Sequence, residues 1–122
     1  MIKFSVPIQP VPFPRPKFNS LTKAAFNSKR YTDYKNAVAL IAKSAMRGKE
    51  PFTGEIKLTC NFYRNKPKKQ PQVSFIGDVD NYLKAIMDAL NGICYLDDRQ
   101  VVDAHAFKLF GIPHVEITLE VM

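Results

Sequence analysis

The chain has 122 residues, a hydrophobic share of 46% and a charged share of 24%, the size and balance of a single globular domain, 1–122, with a core large enough to fold alone. Its apolar runs are only a few residues long, so no segment is expected to span a bilayer. The net charge is +7, and such a surface suits a polyanion, nucleic acid above all; a high pI that serves solubility alone is the plain alternative.

The N-terminal stretch M-I-K-F-S-V-P-I-Q-P has no apolar h-region followed by a small-residue cleavage site, so no export signal is expected and the chain reads as cytoplasmic. Cys60 and Cys94 are then expected to be reduced, and two thiols far apart make neither a disulfide framework nor a zinc site. The charge is segregated. Residues 1–30 hold Lys3, Arg15, Lys17, Lys23, Lys29 and Arg30 and no acid, and residues 56–77 hold Lys57, Arg64, Lys66, Lys68 and Lys69 and no acid. Between Gly77 and Val102 lie Asp78, Asp80, Asp88, Asp97 and Asp98, five of the 11 acidic residues.

Residues 2–8 begin with alternating apolar and polar side chains and read as a short strand ended by proline. In P-V-P-F-P-R-P every second residue from Pro10 to Pro16 is proline, which forces an extended path outside any sheet interior. An irregular arm across the domain surface is the favoured reading, a ligand for a proline-binding module the other. Residues 17–30 show no clear period and are expected to be a basic loop. Residues 33–47 read as a helix with Tyr34, Ala37, Val38, Ile41, Ala42 and Ala45 on one face, Thr32 or Asp33 as its cap and Gly48 as its left-handed stop.

Residues 55–64 alternate cleanly. Ile56, Leu58, Cys60 and Phe62 face one way, as a strand with one buried face requires. A basic, proline-broken loop follows over 65–77, in which Phe75 is either core or a wedge against DNA bases. Residues 80–90 read as a second helix with Leu83, Ile86, Met87 and Leu90 as the buried stripe and Asn91-Gly92 as the stop. Residues 101–110 and 114–121 read as two strands joined at Gly111-Ile112-Pro113, which suggests a terminal hairpin. The order β-α-β-α-β-β predicts an α/β domain with helices packed on a mixed sheet.

Asp78 and Asp80, one residue apart at the mouth of the second helix, point the same way if the backbone there is extended, so both can converge on one ion. Two or three carboxylates plus water are the expected shell of Mg²⁺, or of Mn²⁺. The plain alternative is that aspartates there are caps and turn residues; their gathering in a basic chain favours the metal. Lys84 lies four residues from both Asp80 and Asp88. It is either the middle of two surface i,i+4 ion pairs or a cation poised over a phosphate transition state. His105 and His114 sit within strand patterns and read as structural. Ser74 has no base partner in sequence, so nucleophilic hydrolase chemistry has no support.

The segment D-V-D-N-Y-L-K-A-I-M-D-A-L-N-G-I-C-Y-L-D-D-R-Q-V resembles the signature of the RusA family of Holliday-junction resolvases, endodeoxyribonucleases of bacteria and prophages. Asp78, Asp80, Asn81, Lys84, Asp88, Leu90, Asp97, Asp98, Gln100 and Val101 carry the match. The resemblance implies a Mg²⁺-dependent homodimer that nicks opposed strands of a four-way DNA junction, with Asp78, Asp80 and Asp98 as metal ligands and Lys84 as the catalytic lysine. Asp97 is then an orienting or turn residue. Arg15, Lys17, Lys66, Lys68 and Lys69 are the candidate DNA-phosphate contacts. A non-catalytic DNA-binding protein whose aspartates only cap, and a metal nuclease for other branched DNA, are the competing readings.

Overall fold

The computed structural model describes residues 1–14, 21–68 and 77–122, with backbone only for 21–28. Arg15, Lys17, Lys69 and Phe75 lie outside the described residues. The elements are β1 (Ile2–Val6), α1 (Leu21–Met46), β2 (Ile56–Arg64), α2 (Val79–Leu90), a single 3-10 turn at Asp98–Gln100, β3 (Val101–Phe110) and β4 (His114–Val121). The expected α/β order holds, and both helices pack on a mixed four-stranded sheet of order β1-β4-β2-β3.

The alternation of β2 is realised as read. Ile56, Leu58, Cys60 and Phe62 are all fully buried, each large apolar side chain among them contributing about 1.5–3 kcal/mol. Val115, Ile117 and Leu119 of β4 lie beside them through the antiparallel pairing Phe62↔Val115, Cys60↔Ile117 and Leu58↔Leu119. Val6 of β1 completes the row opposite Val115. Both cysteines are free and buried. Burial pushes the Cys60 thiol up and the Cys94 thiol up to about 11, so both remain neutral core groups.

Three expectations are corrected. First, residues 21–30 are not loop: α1 begins at Leu21, and Thr32 and Asp33 lie inside it rather than capping it. Leu, Ala, Lys and Arg are good helix formers and no Gly or Pro interrupts Leu21–Met46, so the helix propagates N-terminally without a periodic stripe of its own. Asp33 pairs there with Lys29, at 3.2 Å on the exposed face. The buried row of α1 is Tyr31, Tyr34, Val38, Ala42 and Met46, and Gly48 follows with φ +78°, as a left-handed stop requires.

Second, the buried stripe of α2 is Tyr82, Ala85, Ile86, Ala89 and Leu90, with Leu83 and Met87 only half-buried. The helix is turned toward its aromatic residue, because Tyr82 packs at 5.6 Å on Phe62 of the sheet.

Third, β3 and β4 are not a hairpin. β3 pairs in parallel with β2, β4 pairs antiparallel with β2, and β2 stands between them. The Gly111–Pro113 link crosses the end of β2: the Gly111 N–H bonds the Arg64 carbonyl at 2.9 Å, and a side chain at Gly111 would meet the Tyr63 ring at 3.1 Å. Tyr63 in turn stacks on His114 at 4.2 Å between ring centres. β2-α2-β3 is thus a parallel pair joined by a helical crossover, which sets α2 beside the sheet.

Candidate active site

The start of α2 is held from three sides. Lys108 of β3 donates to the Gly77 carbonyl, 2.6 Å away. The backbone N–H of Phe13, in the proline arm, donates to the Asn81 carbonyl at 2.9 Å. Gly77 has φ +92°, and a Cβ there would lie 2.9 Å from the Tyr82 ring, so only glycine lets the chain turn into the helix over that ring. Residues 10–14 of the arm therefore lie along the domain, with Pro10 buried and Val11 and Phe13 packed against the core.

Asp78 occupies the N-cap position in an extended conformation, φ −82° and ψ 137°, yet its side chain makes no capping hydrogen bond. Its carbonyl, not its carboxylate, accepts from Asn81 and Tyr82. Asp80 follows in the first turn, where the positive end of the helix favours a carboxylate. Both aspartates are exposed. Arg64 and Arg30 lie close enough to Tyr82 to act on its hydroxyl, which burial pushes up and the two guanidinium groups, Arg64 foremost, pull back down. Cations thus lie around Tyr82, the ring over which the chain turns into α2.

The row Asp80, Lys84, Asp88 runs along α2 with about 12 Å of helix between its ends. It does not form the ladder of ion pairs that is one of the two readings of its spacing. Lys84 Nζ sits 4.7 Å from the centre of the Phe13 ring. Asp88 accepts a hydrogen bond from the Tyr31 hydroxyl at 2.9 Å. Phe13 and Tyr31 meet edge to face at 5.3 Å. Burial first, and the bond to Asp88 second, push the Tyr31 hydroxyl up, so it stays a donor. Neither Phe13 nor Tyr31 stands out in the sequence as a site residue. A signal for Tyr31 is present, since Tyr31, Tyr34 and Val38 fall at i, i+3 and i+7 of one face.

Asp97 and Asp98 follow the turn 91–95, which folds back on α2. Tyr95 is fully buried and its hydroxyl donates to the Met87 carbonyl at 2.7 Å. Burial pushes that hydroxyl up, and the Asp98 and Asp88 carboxylates push it further; the 3-10 turn that begins at Asp98 packs against α2. Asp97 caps the 3-10 turn: its Oδ1 accepts from the Arg99 N–H at 3.0 Å, which first among its surroundings holds its carboxyl below the usual range. The turn leaves Asp98 without a capping role.

The donor chemistry fits a hard divalent ion at Asp78 and Asp80, two exposed carboxylates of which the first makes no side-chain capping bond, since Mg²⁺ takes one or two carboxylates and keeps several waters. Among the described residues, however, no group of three or more His, Cys, Asp or Glu is drawn together to hold an ion. Asp98 is not brought onto Asp78 and Asp80. His105 pairs with Asp103 at 2.7 Å and His114 faces Glu116 at 3.6 Å, so both are engaged within the sheet. Lys66 and Lys68 are exposed in the loop after β2. No helix among the described residues is long and apolar enough to cross a membrane.

The fold and this site define a small α/β domain with an acidic helix mouth in a basic surround. The family model described as endodeoxyribonuclease RusA matches residues 7–120, and the chain belongs to that family. Membership carries endodeoxyribonuclease activity at the level of the family. The chain is also 33% identical to the Bacillus subtilis (strain 168) protein YqaN, itself described as uncharacterized, over 97% of this chain and 94% of that one.

Proposed function

We propose that this protein is a Mg²⁺-dependent resolvase of four-way DNA junctions that acts as a homodimer, one paired nick per protomer. The observation that carries the reading is the mouth of α2, where Asp78 and Asp80 stand exposed, Asp78 making no side-chain capping bond, with Lys108 on the Gly77 carbonyl and Arg64 and Arg30 near the Tyr82 hydroxyl, in a chain of the RusA family. Asp78 and Asp80 hold the ion, and Asp98, which is not drawn onto them among the described residues, serves cleavage as a separate carboxylate rather than as their co-ligand. A divalent ion bound there supplies a Lewis acid and lowers the pKa of a bound water.

The remaining work falls to the chain's own groups. Lys84 presents its ammonium to the scissile phosphate, where it stabilises charge developing on the leaving oxygen or protonates it. Arg15, Lys17, Lys66, Lys68 and Lys69 contact phosphates and fix the register of the junction without reading sequence. A two-fold enzyme makes symmetric nicks most simply, because each protomer then meets an equivalent strand.

The test is incubation with a synthetic four-way junction and with a linear duplex of the same sequence, each with Mg²⁺ or with EDTA. Paired symmetric nicks in the junction alone, and only with Mg²⁺, are expected. Tight junction binding with no cutting under any divalent ion would replace this reading with the architectural one.

A further inference from the structure

We propose that Phe13 is a positioning residue for Lys84, and that its ring keeps the lysine from neutralising Asp80. The inference deepens the function proposed above, since it rests on Lys84 taking part in cleavage. An Asp-x₃-Lys-x₃-Asp row on a helix would ordinarily close into two i,i+4 ion pairs. In this protein Lys84 makes no ion pair within 4.0 Å among the described residues, and its Nζ lies over the Phe13 ring at 4.7 Å.

The ring is well placed to hold that cation. Its backbone is pinned to α2 by the Phe13–Asn81 bond of 2.9 Å. Pro12 and Pro14 flank it and restrict the arm's backbone. The ring also meets Tyr31 edge to face at 5.3 Å, and Tyr31 is fixed by its 2.9 Å bond to Asp88. The same bracket thus engages the other two members of the row: Tyr31 takes Asp88, Phe13 takes Lys84. The Asp80 carboxylate is left with no hydrogen bond or ion pair among the described residues and is open to another cation. A long lysine stem otherwise samples many rotamers, and a ring face narrows that choice while leaving the ammonium hydrated on its outer side.

The experiment compares the wild type with Phe13→Leu, Phe13→Trp and Lys84→Met. It reads single-turnover cleavage of a four-way junction in Mg²⁺, junction affinity in Ca²⁺, and the NMR shifts of the Lys84 ε-methylene, assigned by their loss in Lys84→Met. Leucine keeps most of the volume and apolarity, so a melt confirms the fold. Phe13→Leu is expected to move the ε-methylene signals downfield, out of the ring current, and to slow cleavage about two- to fivefold with junction affinity unchanged, the range of an exposed cation–π contact. Phe13→Trp is expected to restore both. A Lys84→Met protein that does not cut, together with Phe13→Leu cutting at the wild-type rate, would overturn the positioning role alone. A Lys84→Met protein that cuts normally would overturn the role of Lys84 in cleavage, and this inference with it. Unshifted ε-methylene signals in Phe13→Leu would show that the ring does not hold the lysine.

Discussion

Gln100 and Asp97 close a capping box on each other: Gln100 Oε1 accepts the Asp97 N–H at 3.1 Å, while Asp97 accepts a backbone N–H of the turn it opens. Gln100 also accepts the Leu96 N–H at 2.8 Å and donates to the Phe52 and Gly54 carbonyls at 2.8 and 3.0 Å. The D-D-x-Q pattern therefore has a physical division of labour. Asp97 and Gln100 build the turn and moor it to the 52–54 segment, and Asp98 is the acid of the pair that does not cap it.

Gln100→Ala should cost about 1–3 kcal/mol in urea unfolding, because it strips partners from several backbone groups at once. Asp97→Asn keeps a good cap and should stay within about 0.5 kcal/mol of wild type, with cleavage retained. Asp98→Asn should keep the fold and lose cleavage. Loss of cleavage in Asp97→Asn at unchanged stability would make Asp97 a ligand rather than a cap.

Gly77→Ala places a methyl 2.9 Å from the ring of Tyr82, which is 2% exposed, at a φ of +92°. The strain of that backbone and the displaced ring should together cost about 1–3 kcal/mol. Because Gly77 immediately precedes Asp78, cleavage measured well below the melting temperature should fall as well. Wild-type stability in this variant would mean that the turn is not tied to Tyr82 as described.

Glu116 gives the sheet an acid-sensitive contact. Burial raises its carboxyl, but hydrogen bonds from Asn61, His114 and Tyr63 outweigh that and hold it below the usual range. A depressed folded value contributes stability that is full above the unfolded value of about 4.3 and is lost as pH falls through the folded one. Thermal melts from neutral pH to about pH 3 should therefore show Glu116→Gln losing less stability on acidification than wild type. Parallel curves would remove this carboxylate from the acid transition.

How much of this is legible in sequence follows from what kind of signal each feature leaves. The β2 alternation and the buried half of α1 are readable because a single face is apolar. The start of α1 is not, since residues 21–30 carry helix propensity but no stripe, and the period is the stronger cue. The β3–β4 relation is not, because a three-residue link looks the same whether the strands pair or straddle a third; the close approach of Gly111 to Tyr63 belongs to the sheet order, which lies outside local sequence. At the site, the aspartates and Lys84 stand out by spacing, whereas Phe13 and Tyr31 are 68 and 57 positions away in sequence from Asn81 and Asp88, and nothing local announces such pairings.

Lys66 and Lys68 are exposed in an acid-free segment after β2. Replacing them and Lys69 with Ala should weaken junction binding and flatten the dependence of log K on log salt by about 0.9 for each phosphate that is no longer neutralised. An unchanged slope would take this loop out of the DNA interface.

Whether Asp78 and Asp80 hold the ion is read from Mn²⁺ binding followed by electron paramagnetic resonance, in wild type and in the Asp78→Asn/Asp80→Asn double variant. Wild type is expected to bind Mn²⁺, and the double variant, still folded and binding junctions as well or better, is expected not to. A double variant that binds Mn²⁺ as tightly as wild type would contradict that expectation and return both aspartates to the role of turn residues.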